Sequence, residues 1–422
     1  MNATPGHTTP ETALPANPLD GPASVKPVAK PAIKPASPLF STGPTRKRPG
    51  WRADALPTTA LGRSHRAAHP KSRIQDCIAR IHRVLALPDD YIVGIVPASD
   101  TGAVEMAMWS LLGPRGVDIL GWEAFGNGWI SDAADQLKIT PLVRHQAEYG
   151  ALPDLSKVNF DHDVVFTWNG TASGVRVPDG DWIADQRTGL TICDATSACF
   201  AMHLPWDKLD VTTFSFQKSL GGEGGHGVIV MSPRAVARAN SHVPSWPVPK
   251  ILRLAKKGKL DAGIFSGATI NTPSMLVIED AIDALEWAES IGGIDALIAR
   301  VNTGFDAFSA WISTTPHFAF LAKDAATMSP TAVCLVITDS WFAAQEAATQ
   351  TQLVKSMQAC LEAEDVAVDI GAYRDAPTGL RIWGGPTVNP ADTAALLPWL
   401  DWAYESVRAA HLAEHAGDAV PG

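Results

Sequence analysis

Short runs of apolar and β-branched residues recur through the middle of this chain, each closed by turn residues. Val117 to Trp122, Val164 to Trp168, Leu190 to Asp194, Val211 to Phe216 and Val228 to Met231 read as strands. Between or before them, Gly102 to Leu112 and Gly128 to Leu137 carry apolar residues at helical spacing. A strand that is apolar at successive positions is buried on both faces. The pattern therefore predicts an α/β fold: a mostly parallel, doubly wound sheet covered by helices, with ligands gathering at the carboxyl ends of the strands.

After Asn271-Thr272-Pro273 the texture changes. Long helices are expected over 275–291 and 294–312, a strand over 333–337, a helix over 342–363, strands over 366–370 and 380–383, and a last helix over 391–409. This is the pattern of a smaller α+β C-terminal domain. The expected division is a Pro/Ala-rich tail over 1–38, an N-terminal segment over 39–73, a large domain over 74–274 and a small domain over 275–422. The tail has almost no aromatic residues, so it cannot bury enough apolar surface to offset the entropy of ordering, and disorder is expected there.

Composition narrows the function classes. No run approaches the roughly 18 to 20 apolar residues of a bilayer span, and no signal-peptide core stands at the N-terminus, so a soluble, cytoplasmic protein with no membrane partner is expected. The formal net charge of −10 argues against a nucleic-acid partner. The 5 cysteines are scattered without the paired spacings of a metal site, so no metal is expected.

Two strand ends deliver groups with a joint chemical meaning. Asp194 ends Leu-Thr-Ile-Cys-Asp, and Lys218 follows Thr-Thr-Phe-Ser-Phe-Gln. Pyridoxal phosphate (PLP) chemistry needs a lysine amine to condense with the cofactor's aldehyde, and a carboxylate beside the pyridine nitrogen to keep the ring protonated. One crossover segment separates the two residues, which places them on neighbouring strands.

Asp-Ala-Thr-Ser-Ala (194–198), Ser-Phe-Gln-Lys-Ser-Leu-Gly-Gly-Glu (215–223) and Ile-Asn-Thr-Pro-Ser (270–274) together resemble the phosphoserine aminotransferases, fold-type-I PLP enzymes of the class V group. The resemblance begins at Phe40-Ser41-Thr42-Gly43-Pro44, passes through Gly62-Arg63-Ser64-His65-Arg66 and ends at Gly379-Leu380-Arg381-Ile382-Trp383. It implies Lys218 as the cofactor lysine, Asp194 as the pyridinium partner, Thr171 at the ring hydroxyl and Trp129 stacked on the ring, with Trp122 its nearest competitor. Thr101, Gly102 and Ala103 would present backbone N–H groups to the cofactor phosphate at a helix start. Gln217 would add a side-chain donor, and Asn271 and Thr272 would reach the phosphate from the other subunit of a homodimer. The family's arginine beside that helix start is replaced here by Ser99-Asp100.

On the substrate side the resemblance implies Arg381 for the α-carboxylate. His65 and Arg66 of the opposite subunit, with Arg374 as a further candidate, would bind the side-chain phosphate. The implied substrates are phosphoserine, glutamate, 2-oxoglutarate and 3-phosphohydroxypyruvate. Another class V aminotransferase of the alanine- or serine-glyoxylate type is the alternative. Ser215-Phe216-Gln217-Lys218 also fits the S-x-x-K pattern of serine acyl-enzymes, but Ser215 falls in a strand and no K-T-G follows. Gly221 to Gly225 lacks the Lys-Ser/Thr pair of a phosphate-binding loop.

Overall fold

The computed structural model describes residues 29–415. In chain order the first part comprises α1 (Ala68–Val84), β1 (Ile92–Pro97), α2 (Ser99–Leu111), β2 (Val117–Gly121), α3 (Ala124–Ser131), β3 (Leu142–Gln146) and β4 (Asp163–Thr167). A short hairpin of β5 (Asn169–Gly170) and β6 (Val175–Arg176) follows. Then come β7 (Thr191–Asp194), β8 (Val211–Ser215), β9 (His226–Met231), α4 (Pro233–Ser241), a second hairpin of β10 (Ala255–Lys256) and β11 (Lys259–Leu260), and α5 (Met275–Ser290).

Among the described residues seven of these strands form one sheet in the order β1-β9-β8-β7-β4-β2-β3. The run from β8 to β3 is parallel, and β9 lies antiparallel to both β8 and β1. Both faces are covered, as the contiguous apolar runs require. On β9, Val228 and Val230 join the core layer that α1 and α5 contribute to, while Ile229 and Met231 join the layer of α2 and α4. Each fully buried side chain of this kind contributes about 1.5–3 kcal/mol.

The second part consists of α6 (Gly293–Ile312), β12 (Phe318–Phe320), β13 (Ala332–Ile337), α7 (Ser340–Ala343), α8 (Ala347–Ala363), β14 (Gly379–Trp383) and α9 (Pro390–His415). Strands β12, β13 and β14 form an antiparallel sheet. Its core holds Phe308, Leu335, Trp383 and Trp399.

Three expectations shift. The helix expected to open the small domain, α5, packs instead with the large one: Ile278, Ile282 and Leu285 share a core with Ile74, Cys77 and Ile81 of α1. Arg73 of α1 adds a two-pronged pair to the buried Glu279, with N–O distances of 2.6 and 2.9 Å. The boundary lies inside α6, whose Leu297 belongs to the large core and Phe308 to the small one. The strand expected over 366–370 shrinks to a single bridge between Val368 and Leu39, because Asp365 and Asp369 adopt left-handed φ of 54° and 56°. Finally, the described end of the expected tail is fastened to the small domain. Trp399 Nε1 donates to Ile33 O at 2.7 Å, Ala36 N to Asp392 Oδ1 at 2.8 Å, and Val368 N to Pro38 O at 2.9 Å. The next residue but one, Phe40, is completely buried. Residues 1–28 of the expected tail lie outside the described residues. No described helix is long and apolar enough to cross a membrane.

Candidate active site

Parallel pairing brings three strand ends level: the register sets Asp194 of β7 beside Thr167 of β4 and Thr213 of β8. Lys218 follows β8 by three residues. A cavity of about 390 Å³ opens at this edge, and Asp194, Lys218, Thr171, Trp129 and Gln217 line it together. These five of the expected site residues stand together at the carboxyl edge.

The Lys218 amine donates to the Thr42 carbonyl, and a Cβ on Gly43 would displace the end of the lysine side chain where the N-terminal segment crosses it. That segment is held in place, since Thr45 N donates to Gln217 O at 3.0 Å and Arg48 forms a two-pronged pair with Asp283 at 2.7 Å. Burial, then the Arg381 guanidinium, depress the lysine to about 8, against the opposing pull of Asp194, Glu123 and Asp100. Near neutral pH roughly a tenth of the amine is thus the uncharged nucleophile, far more than for a lysine at its ordinary value of about 10.4.

Asp194 is buried, with Oδ2 accepting from Trp129 Nε1 at 3.2 Å and Oδ1 from Thr196 N at 3.1 Å. Trp129 thereby presents its ring to the cavity, whereas Trp122 lies in the core with its N–H donated to Val175 O at 3.0 Å. Thr171 Oγ1 is paired with Ser197 Oγ at 2.8 Å, and Asn169 holds the same serine at 2.7 Å from behind.

The helix start differs from the expectation. The chain leaves β1 through left-handed Ala98 and Ser99, with φ of 67° and 58°, so α2 begins at Ser99 and not near Gly102. Gly102 N is already bonded to Ala98 O at 2.9 Å. The open N–H groups of the first turn belong to Ser99, Asp100 and Thr101. Of the expected trio only Thr101 lines the cavity, while Gly102 and Ala103 are buried behind it. Gln217 spends its donor on Ser99 Oγ at 2.7 Å.

Four side-chain atoms of cavity-lining residues are buried without a hydrogen-bond partner: Asp100 Oδ1, Thr167 Oγ1, Thr196 Oγ1 and Gln217 Oε1. Each such atom costs about 1–3 kcal/mol. Orphaned groups gathered around one cavity fit a polar ligand, and with the Lys218 amine just beyond β8 and the Asp194 carboxylate at the end of neighbouring β7 they fit PLP.

Arg381 of β14 is not among the lining residues; its guanidinium stacks over Tyr373 at 5.3 Å, its Nε is buried without a partner, and Tyr373 packs on the cavity residue Phe125 at 5.4 Å. A guanidinium with a free donor next to the cavity wall suits a carboxylate. The remaining expected residues stand apart from the cavity. Arg374 is exposed and pairs with Asp375 at 3.3 Å. Arg66, Asn271 and Thr272 are exposed, and His65 is half-buried with Nε2 unpartnered. Residue-level reading missed Glu123, the N-cap of α3, whose carboxylate accepts from Gly126 N at 2.9 Å and Ala172 N at 3.2 Å and which burial pushes up to about 7. It also missed Phe125, Thr167 and Thr196. An acid before a glycine-rich helix is a capping signal, but nothing local marks the other three.

No family model matches the chain. A curated phosphoserine aminotransferase from Methanosarcina barkeri is 52% identical over 379 residues, covering 90% of this chain and 100% of the relative. Among solved structures, a PLP-bound phosphoserine aminotransferase from Trichomonas vaginalis superposes with a TM-score of 0.69 at 15% identity, over 86% of this chain and 99% of that one. Pyridoxamine-pyruvate aminotransferase from Mesorhizobium loti gives a TM-score of 0.72 at 20% identity, over 92% of this chain and 100% of that one. The solved structures share the fold across different substrates, but identity above half along the whole of a curated relative is decisive, and this chain belongs to the phosphoserine aminotransferase family.

Proposed function

We infer that the protein is a PLP-dependent phosphoserine aminotransferase. It moves an amino group between glutamate and 3-phosphohydroxypyruvate, giving 2-oxoglutarate and phosphoserine in serine biosynthesis. The observation that carries this reading is the 52% identity with a phosphoserine aminotransferase along that relative's full length. The cavity supports it by setting the Lys218 amine and the Asp194 carboxylate on adjoining strand ends.

PLP, when bound, supplies an electron sink and a carrier for the amino group. Asp194 holds the proton of the ring nitrogen, and the Trp129 indole covers the ring face. The open N–H groups of Ser99 to Thr101 and the positive end of α2 receive the phosphate. Lys218 acts as general base and then general acid, taking the proton from the substrate's α-carbon and returning it at the cofactor's C4′. Its depressed basicity suits that exchange near neutral pH. Arg381 binds the α-carboxylate common to both amino donors.

The phosphate of phosphoserine needs a basic wall. His65 and Arg66, with Arg374 as a further contributor, are assigned to it, and Asn271 and Thr272 to the cofactor phosphate. Their absence from the cavity of their own chain is accounted for if a second copy supplies them across a two-fold axis. The working form is then a cytoplasmic homodimer with shared sites, and phosphorylated hydroxythreonine, on the route to pyridoxine, is a second acceptable substrate.

The test is the visible spectrum of the purified protein with PLP, followed during half-reactions. Phosphoserine and glutamate should each discharge the colour, and alanine or serine with glyoxylate should do so more slowly. A protein that stays colourless with added PLP, or that prefers alanine or serine, overturns the assignment.

A further inference from the structure

The Asp100 carboxyl has no part in the mechanism above, yet the residue lines the same cavity. It lies in the first turn of α2, is 6% exposed, and its Oδ1 is buried with no donor. Asp194 and Thr196 line the same cavity, Asp194 is its carboxyl neighbour, and the Thr196 and Thr213 hydroxyls, both buried without a partner, stand beside it. The other titratable groups around it are the Lys218 amine and the thiols of Cys193 and Cys199, which burial keeps neutral. Two adjoining carboxyls out of water cannot both ionise at modest cost, and sharing one proton removes the repulsion.

We propose that Asp100 and Asp194 hold one proton between them, with Asp100 the neutral partner that donates its O–H to the Asp194 carboxylate. Asp100 is then a positioning residue. It turns Asp194 through a third hydrogen bond, after those from Trp129 Nε1 and Thr196 N, and leaves a lone pair of Asp194 for the pyridine nitrogen. The arrangement gives the orphaned Oδ1 a partner and limits the pair to one negative charge. It also explains how an acid can sit in the turn assigned to the cofactor phosphate: a neutral carboxyl does not repel it. Burial and the Asp194 charge both push Asp100 well above the usual carboxylate range. The shared proton requires no cofactor. Only the orientation toward the ring nitrogen rests on the function proposed above.

Infrared spectra of the cofactor-free protein test the proton directly. Wild type at neutral pH should show a protonated-carboxyl C=O band that is lost in Asp100→Asn and that titrates well above the ordinary range of about 4. In Asp194→Asn the Asp100 band should titrate at lower pH than in wild type, because the repelling charge is gone; this variant decides the matter if Asp100→Asn fails to fold. Stability supplies a second readout. An acid raised in the folded state makes wild type less stable as pH climbs from about 4 toward the raised value, and Asp100→Asn should lack that slope. Toward PLP, Asp100→Asn should keep the affinity within about threefold, whereas Asp100→Leu, which cannot donate, should lose about tenfold or more. A band unchanged in Asp100→Asn, a wild-type band gone by about pH 5, or a titration unmoved in Asp194→Asn overturns the shared proton. Equal PLP affinity in the Asn and Leu variants overturns the positioning role. Failure of wild type to bind PLP would instead strike the function proposed above.

Discussion

Lys218, Asp194, Thr171 and Trp129 are side chains delivered by one sheet and its helices to a single cavity, whereas Arg66, Asn271 and Thr272 sit exposed in loops that do not reach it. The first set is held by neighbours on every side, so one folded chain completes it. The second set is exposed, and the Asn271 amide reaches only its neighbour's carbonyl, Thr272 O, at 3.3 Å. The difference teaches that the surroundings of the cofactor's ring are built by the fold of one chain, whereas the phosphate groups of cofactor and substrate are, in our reading, reached in part by assembly.

The sharpest way to break that contrast is at its deep end. Lys218→Ala should lower the single-turnover rate with phosphoserine by about 10³-fold, the scale of a lost general acid-base group, and a loss under tenfold would remove the lysine from the mechanism. Next in size are the arginines. Arg66→Ala should lower kcat/KM for phosphoserine by about tenfold or more with a smaller effect on glutamate, while Arg381→Ala should impair both donors. Equal losses from Arg66→Ala on the two donors would take Arg66 off the phosphate.

Mixing the Lys218→Ala and Arg66→Ala proteins sharpens the comparison further. If Arg66 acts in the neighbouring subunit, random reassortment should restore roughly a quarter of wild-type activity, since half of the dimers carry one intact site. No recovery, or sedimentation of an active monomer, would return the rim residues to their own chain. A smaller effect concerns pH. Capture of PLP by the cofactor-free protein should quicken as pH rises with a midpoint near the lysine's value of about 8, where Lys218 is half deprotonated, and level off above it. A midpoint near the ordinary lysine value of about 10.4 would show that burial does not tune the amine. The smallest effect is structural: Trp399→Phe removes the donor to Ile33 O and should cost about 1 kcal/mol in denaturant unfolding without changing KM.

What the sequence determined by itself is the sheet and the strand-end placing of the two groups we assign to the cofactor. Burial on both faces leaves contiguous apolar runs in the chain, and a strand end positions Asp194 or Lys218 within a few residues of that local signal. Tertiary structure decided what depends on residues far apart in sequence. Allegiance of α5 to the large domain follows from Arg73 meeting Glu279, and the fastening of residues 33–40 follows from Trp399 and Trp383 lying where that segment passes. The start of α2 at Ser99 turns on two left-handed residues, neither of them glycine, which no propensity announces. Asp100 is the clearest case. In the sequence it is an acid following a strand, indistinguishable from a helix cap; only when the sheet brings Asp194 against it, out of water, does the repulsion between two like charges turn it into a proton holder.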